Sequence, residues 1–343
     1  MTLAQTQQNV CDLISAGKLD EARMATDKMK ADFVNNKDLP EAVYWVIRHY
    51  EWASKFDEAK RLYQIIAEKY PNDVRSNQSL IGITRCDAME LVISNDFTSA
   101  KAAADKMAID FSNHPDLAES LYMVAEKFEW QWQFKEEKYV YQKIIQNHPQ
   151  SLFADKAKIG MARADVLSYI VVKDYERVDK GIDILFSNFA NNPELAQTAL
   201  IIGEWFNREG VKKENAGLKD EAKVQFEKAV KVCDRVINQL PDSNLIHEAY
   251  YCAGSCYLKL GEYLKAAEAF GDSYQANPQY MYADYCLFAQ ADCYEKAKEK
   301  QTDTGITVEQ IKEIYRELIT KFPKSKYSFN AALRLDELQN ENE

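Results

Sequence analysis

The fold is decided by two stretches of the chain that repeat each other. Residues 39–71 read LPEAVYWVIRHYEWASKFDEAKRLYQIIAEKYP, and residues 117–149 read LAESLYMVAEKFEWQWQFKEEKYVYQKIIQNHP. The two stretches are identical at 13 of 33 positions and lie 78 residues apart. Because self-similarity at a fixed period is the signature of repeat architectures, we predict that the chain is an array of one structural unit.

Each stretch has the apolar pattern of two amphipathic helices. Val43, Tyr44 and Ile47 follow the spacing of one helix face, and Phe56 and Leu62 belong to a second pattern after a break. The second pattern ends at a proline, which cannot continue a helix. The prolines at positions 71, 115 and 149 are 44 and 34 residues apart, so one long and one short helical hairpin make up each 78-residue superrepeat.

Composition restricts the class of protein. Of 343 residues only 11 are glycine and 8 are proline, while 46% are hydrophobic and 28% are charged. These values exclude collagen-like, low-complexity and mostly disordered chains, and they argue against an all-β fold, which needs many Gly/Pro turns. The net charge of −11 argues against nucleic-acid binding. No apolar run approaches the ~18 residues of a membrane-spanning helix, so no transmembrane segment is predicted.

A motif in the C-terminal part of the chain carries a family resemblance. The motif is Tyr250-x-x-Ala253-Gly254-x-x-Tyr257, then Gly261-x-Tyr263, Ala266-x-x-x-Phe270 and Pro278. It resembles the tetratricopeptide repeat (TPR), a helical hairpin of about 34 residues. The resemblance implies an all-α, TPR-like right-handed superhelical solenoid of about seven helical hairpins plus a C-terminal cap helix. Unit junctions such as Tyr-Pro-Asn-Asp give a weaker resemblance to TPR proteins of the bacterial cell envelope.

The repeats predict one solenoid over residues 1–343, without separate domains. The predicted parts are superrepeats near 13–90, 91–168 and 169–260 (with an insertion at 207–219), TPR units at 247–280 and 281–323, and a cap helix at 324–338. The insertion and a second polar segment, Lys298–Thr307, are expected to be solvated loops or helix extensions. The Gln-Asn-Glu-Asn-Glu tail is expected to be frayed.

The repeat register places Met1 inside the first helix of a unit. This predicts either a native cap helix that is shorter than the others or an array cut from a longer one. We expect a cytoplasmic protein in the first case, and a periplasmic or cell-envelope protein in the second.

The sequence contains no catalytic or metal-binding motif. The four histidines lack metal-ligand spacing, and there is no glycine-rich phosphate loop. The seven cysteines, an odd number without Cys-x-x-Cys, argue against a disulfide framework and favour a reducing compartment. Cys252 and Cys256 are one helical turn apart, but cysteine at such positions packs as a small apolar residue. We therefore predict no enzyme activity, no metal and no cofactor.

A charged pair recurs with the superrepeat. Arg85-x-Asp87 is repeated 78 residues later as Arg163-x-Asp165. Residues two apart on a helix point in different directions, so the pair does not form one catalytic site. Its recurrence predicts a structural role, namely buried ion pairs between helices.

The surface that remains is a candidate groove. In TPR arrays the first helix of each hairpin lines the concave face, and the resemblance implies the same here. The predicted groove residues are Tyr44, Trp45, Arg48, Trp52, Tyr122, Met123, Glu126, Trp130, Ile201 and Glu204. Two groove positions hold the same residue type in both copies: a tyrosine (Tyr44 and Tyr122) and a tryptophan eight residues later (Trp52 and Trp130). These positions are predicted to hold hairpins together, with partner contact as the alternative. Positions that differ between the copies, such as Trp45/Met123 and Arg48/Glu126, are predicted to recognise the specific partner.

These features predict a non-enzymatic protein-protein interaction scaffold. Aromatic residues flanked by glutamates suit a basic or amphipathic peptide or protein segment. Two alternatives remain open: a structural subunit that self-assembles end to end, since heterologous contacts that do not close form filaments, and a bacterial envelope assembly factor.

Overall fold

The computed structural model describes residues 1–300 and 305–340, in which all regular secondary structure is helical and no strand occurs. Residues 301–304 of the second predicted insertion and residues 341–343 of the tail lie outside the described residues. The helices are α1 Leu3–Ser15, α2 Leu19–Asp32, α3 Leu39–Trp52, α4 Phe56–Lys69, α5 Val74–Ile93, α6 Phe97–Asp110, α7 Leu117–Trp130, α8 Phe134–Asn147, α9 Leu152–Val171, α10 Tyr175–Asn188, α11 Leu195–Asn215, α12 Lys219–Gln239, α13 Ile246–Leu260, α14 Tyr263–Ala276, α15 Ala283–Lys300, α16 Val308–Lys321 and α17 Lys326–Asn340.

The chain divides into two compact units, Met1–Arg177 and Val178–Glu343, with the division inside α10. In each unit consecutive helices pair and each pair packs on the next, which confirms the all-α helical-repeat fold. The handedness of the superhelix, the number of hairpins and the superrepeat boundaries stay predictions. In the described residues no helix is both long and apolar enough to cross a bilayer.

The first unit shows why the 78-residue period gives paired helices. Val46 and Ile47 of α3 and Leu62 and Ile66 of α4 have no exposed surface and form one continuous core with their neighbours. The turn between the helices needs one residue with left-handed backbone, which is Ser54 with φ 56°. The corresponding turns after α5, α7 and α9 use Asn95, Trp132 and Lys173, with φ of 65°, 61° and 60°.

The glycine of the repeated Ile-Gly-x-x-Arg-x-Asp segment has a packing role. A Cβ atom at Gly82 would lie 2.5 Å from the Tyr63 ring, and one at Gly160 would lie 2.6 Å from the Tyr141 ring. A side chain at either position would therefore collide with a buried aromatic ring. The glycine recurs because the tyrosine it accommodates recurs.

The second unit contains the longest helices. The insertion predicted at 207–219 is mostly helical: α11 and α12 both have 21 residues, and Gly217 in the turn between them has φ 77°. A Cβ atom at Gly254 would lie 3.1 Å from the Phe270 ring, so α13 and α14 approach closely there. All seven cysteines are buried and free.

Candidate protein-binding surface

The recurring arginine forms the predicted buried ion pair. Arg85 on α5 is 1% exposed, and its guanidinium donates to the Glu51 carboxylate on α3 at 2.8–3.0 Å. It also donates to the Tyr63 hydroxyl at 2.7 Å and to the Ser120 hydroxyl at 2.9 Å. These bonds tie α5 to α3, α4 and α7. The structural interpretation of the arginine is confirmed.

The second superrepeat repeats this ion pair. Arg163 on α9 donates to Glu129 on α7 through Nε at 2.7 Å and Nη2 at 2.6 Å. The aspartates of the same motif lie at the surface, where Asp87 accepts from Lys60 at 3.0 Å and Asp165 from Lys138 at 2.5 Å. Arginine and aspartate therefore pair with different helices, as their spacing requires.

The repeated tyrosines of the predicted groove join helices. Tyr44 and Tyr122 are buried, and their rings meet Tyr63 and Tyr141 at centroid distances of 6.1 and 5.4 Å. Arg75 lies over the Tyr44 ring at 4.6 Å. Little of either tyrosine is available to a partner, which agrees with a role in holding hairpins together.

The repeated tryptophans differ from that expectation. Trp52 is 53% exposed and Trp130 is 63% exposed, so neither is buried between hairpins. Trp52 meets the His49 ring edge-on at 4.8 Å, and Lys127 Nζ lies 3.8 Å above the Trp130 ring. These tryptophans are the last residues of α3 and α7, just before the turn. Contact with a partner, the alternative for these two positions, stays a prediction.

Arg48 also differs from the expectation. It is only 7% exposed, and it pairs with Glu119 at 2.6 Å and with Glu51 at 3.2 Å. Its Nη2 lies 3.1 Å from the sulfur of Met123. Because Arg48 is buried and already paired with two glutamates, it is not accessible to a partner. Its predicted role in partner recognition is therefore corrected to that of a link between α3 and α7.

Three other predicted groove residues keep accessible surface. Trp45 is 43% exposed, and its indole N–H donates to Glu41 at 2.8 Å. Met123 and Glu126 on α7 are half-buried. In the first unit these residues stand on α3 and α7, which the contacts of Arg48 with Glu119 and Met123 join. The remaining two, Ile201 and Glu204, lie on α11 in the second unit, where Ile201 is half-buried and Glu204 is exposed.

The charges of this surface are uneven. On α3 the glutamates already have partners, since Arg48 binds Glu51 and Arg75 donates to Glu41 at 2.5 Å. On α7, Glu119 binds Arg48 and Glu129 binds Arg163, while Arg163, Lys156 and the Tyr122 hydroxyl lie near Glu126. The acidic character of the groove stays a prediction. Sequence reasoning missed one buried acid of this region, Glu137 on α8, which has no exposed surface. The sequence did indicate this buried acid, because Glu137 occupies the position that Ala59 has in the other copy.

Comparison with known proteins defines the class. A sequence model of the tetratricopeptide repeat matches residues 41–73, which are α3, α4 and the turn between them. This match confirms the resemblance of the α3–α4 hairpin to a tetratricopeptide repeat. A second model, described as "YfiO: Outer membrane lipoprotein", matches residues 214–341. No curated protein sequence matches the chain significantly.

Solved structures with similar helix arrangements include several TPR proteins. A tetratricopeptide repeat protein from Parabacteroides merdae is 13% identical with a TM-score of 0.38, covering 84% of this chain and 98% of its own. The apo quorum sensor NprR from B. thuringiensis is 12% identical with a TM-score of 0.37, covering 98% of both chains. The TPR2AB domain of yeast Sti1, solved as a complex with pHSP90, is 14% identical with a TM-score of 0.30, covering 88% of this chain and 97% of that chain.

Proposed function

We propose that this protein is a non-enzymatic scaffold that binds a peptide or protein segment on the α3–α7 surface of its first unit. We define this surface by Trp45, Trp52, Met123, Glu126 and Trp130. The observation that carries the proposal is the exposure of three tryptophans on α3 and α7, two helices that the Arg48–Glu119 hydrogen bond joins. Tryptophan is among the residues that most often dominate binding energy at protein interfaces.

The surface is rigidly supported. Its tryptophans and Glu126 stand on helices that the buried Arg85 and Arg163 ion pairs hold in place. Side chains on fixed helices lose little freedom on binding, so an exposed apolar ring there contributes most of its contact energy to affinity. An amphipathic segment would place apolar side chains on the tryptophans and a basic side chain near Glu126.

The experiment is a peptide array of 15-residue amphipathic segments, with basic, neutral or acidic polar faces, followed by anisotropy titration of the best binder. Trp52→Ala and Trp130→Ala should each weaken binding roughly thirtyfold, which corresponds to about 2 kcal/mol. The matched control is Met24→Ala, because Met24 is 73% exposed but lies on α2, a second helix. Tryptophan variants that bind as tightly as the wild type would contradict the proposal.

A second proposal concerns location. The match of residues 214–341 to an outer-membrane lipoprotein model favours a role in the cell envelope, as an assembly factor. The seven free cysteines favour a reducing compartment instead. Fractionation of the tagged protein in its native host decides between the two: recovery with the envelope supports the proposal, and recovery with the cytosol contradicts it.

A further inference from the structure

Helix α17 carries apolar side chains on two opposite faces, and one of these faces is uncovered. Ala331, Leu335 and Leu338 are buried in one core with side chains of α15 and α16. On the other side of the helix, Phe329 is 68% exposed and Leu333 is 50% exposed. Residues four apart are neighbours on a helix surface, so these two side chains form one apolar patch that the described chain leaves open.

Charged residues of opposite sign flank this patch along the helix. Lys326 lies before the patch, Asp336 and Glu337 lie after it, and all three are exposed. The Glu337 carboxylate is already bound by Arg334 of the same helix. Neither Lys326 nor Asp336 forms an ion pair within the described residues, where Lys326 Nζ lies 4.8 Å from the centre of the Tyr327 ring. The exposed face of α17 is therefore basic at one end, apolar in the middle and acidic at the other end.

The order of these residues is symmetric about position 331. Lys326 and Asp336 are each five residues from this position, on opposite sides, and Phe329 and Leu333 are each two residues from it. A twofold axis at this point would pair two antiparallel copies of the helix, so that Phe329 of one copy meets Leu333 of the other. The same axis would place Lys326 of each copy at the acidic end of the other copy. A parallel pair would instead bring like charges together, which is unfavourable.

We propose that two copies of this chain form an antiparallel dimer through the exposed face of α17, defined by Lys326, Phe329, Leu333 and Asp336. Because the same surface meets itself, the contact closes at two copies, unlike the open array that heterologous end-to-end contacts would build. One helix of 15 residues per copy gives a smaller interface than the roughly 1,600 Å² of standard complexes, so we expect a dissociation constant on the order of 10 μM. The dimer carries two α3–α7 surfaces, but the inference does not depend on the proposed function.

Sedimentation velocity of the full chain over a concentration series tests the dimer and its apolar contact. The mass of the wild type should rise from 39.5 kDa to twice that value and then stay constant. Phe329→Ser and Leu333→Ser should each weaken dimerisation by about tenfold or more, because each removes apolar area from both halves of the contact. Both side chains are exposed in the single chain, so neither variant should lower its melting temperature. The matched control is Ile109→Ser, which removes an apolar side chain 74% exposed on α6 and should leave the dimer unchanged.

Charge variants test the antiparallel arrangement. Lys326→Glu and Asp336→Lys each place like charges opposite one another twice in a dimer, so each should weaken dimerisation by about tenfold. The double variant Lys326→Glu/Asp336→Lys restores opposite charges between antiparallel helices and should recover the dissociation constant of the wild type. In a parallel pair the double variant would keep like charges together, so its recovery is specific to the antiparallel arrangement.

Each contrary result of these experiments is specific. A wild type that stays at the mass of one chain throughout the series would overturn the proposal, and so would a mass that keeps rising beyond two chains. A dimer that both serine variants leave unchanged would show that the chains meet elsewhere, which also overturns it. A double variant that dimerises no better than the single charge variants would exclude the antiparallel arrangement. The tryptophan variants test the proposed function separately, so none of these results decides it.

Discussion

Removal of the carboxylate from each buried ion pair should have unequal effects on the two superrepeats. Glu51→Gln leaves Arg85 in the core with no negative charge in contact, because its other partners are hydroxyl groups. Breaking a buried pair by removing one partner costs about 3–5 kcal/mol. The retained amide oxygen can still accept a hydrogen bond, so we expect about 3 kcal/mol.

Glu129→Gln should cost much less. In that variant Glu137 and Glu126 still lie near Arg163, and the loss of the Glu129 charge favours ionisation of Glu137, which then becomes the counter-ion. We expect a loss of about 1 kcal/mol, because a new pair replaces the old one. The difference of about 2 kcal/mol corresponds to roughly thirtyfold in a local opening constant.

Hydrogen exchange read by mass spectrometry measures this difference in the full chain. Peptides from α5 should exchange about thirtyfold faster in Glu51→Gln than peptides from α9 do in Glu129→Gln, each relative to wild type. Exchange in the second unit, for example in α14, serves as the internal control and should not change. Equal losses in the two variants would refute the claim that Glu137 or Glu126 can replace Glu129 as the counter-ion of Arg163.

Three further predictions concern stability. Gly82→Ala should destabilise the first unit by about 1–3 kcal/mol in urea unfolding, because the new methyl group would meet the Tyr63 ring at 2.5 Å; no loss would show that this contact is loose. Trp52→Ala should change the unfolding free energy by less than about 0.5 kcal/mol, because the ring is exposed, and a loss of several kcal/mol would restore the hairpin-joining role. Glu137→Gln should reduce the pH dependence of stability. The raised pKa of Glu137 means that the folded state binds more protons than the unfolded state, so wild-type stability falls as pH rises above about 5. The variant lacks this titration, and parallel pH profiles from pH 5 to 9 would contradict it.

The repeat period and the buried arginines could be predicted from sequence. Arg85 and Arg163, with the glycines three residues before them, recur because the same local packing demands them in each superrepeat. A residue that the packing of one repeat requires must recur in every repeat with the same packing, so the sequence period identifies such residues directly. The longer α12 follows from the same comparison, whereas the sequence left open whether residues 207–219 form a loop or extend α11, which in the structure runs to Asn215.

Exposure of individual side chains could not be predicted in this way. The helix pattern gives the face on which Arg48 and Trp52 lie, but not how far the neighbouring helix extends over them. Arg48 is buried by a partner 71 residues away, Glu119, whereas Trp52 ends its helix and is left uncovered. Recurrence was also ambiguous for the tryptophans, because a binding surface built from repeats can repeat its contact residues.

The account depends most directly on whether a partner covers the α3–α7 surface. Hydroxyl-radical footprinting of the full chain, with and without the best array peptide, measures the solvent access of single side chains. We predict that oxidation of Trp52 and Trp130 falls at least fivefold in the complex, while the exposed Met24 on α2 and Met281 in the second unit are oxidised as before. Unchanged oxidation of both tryptophans, or protection confined to Met24 or Met281, would contradict the claim that this surface binds the partner.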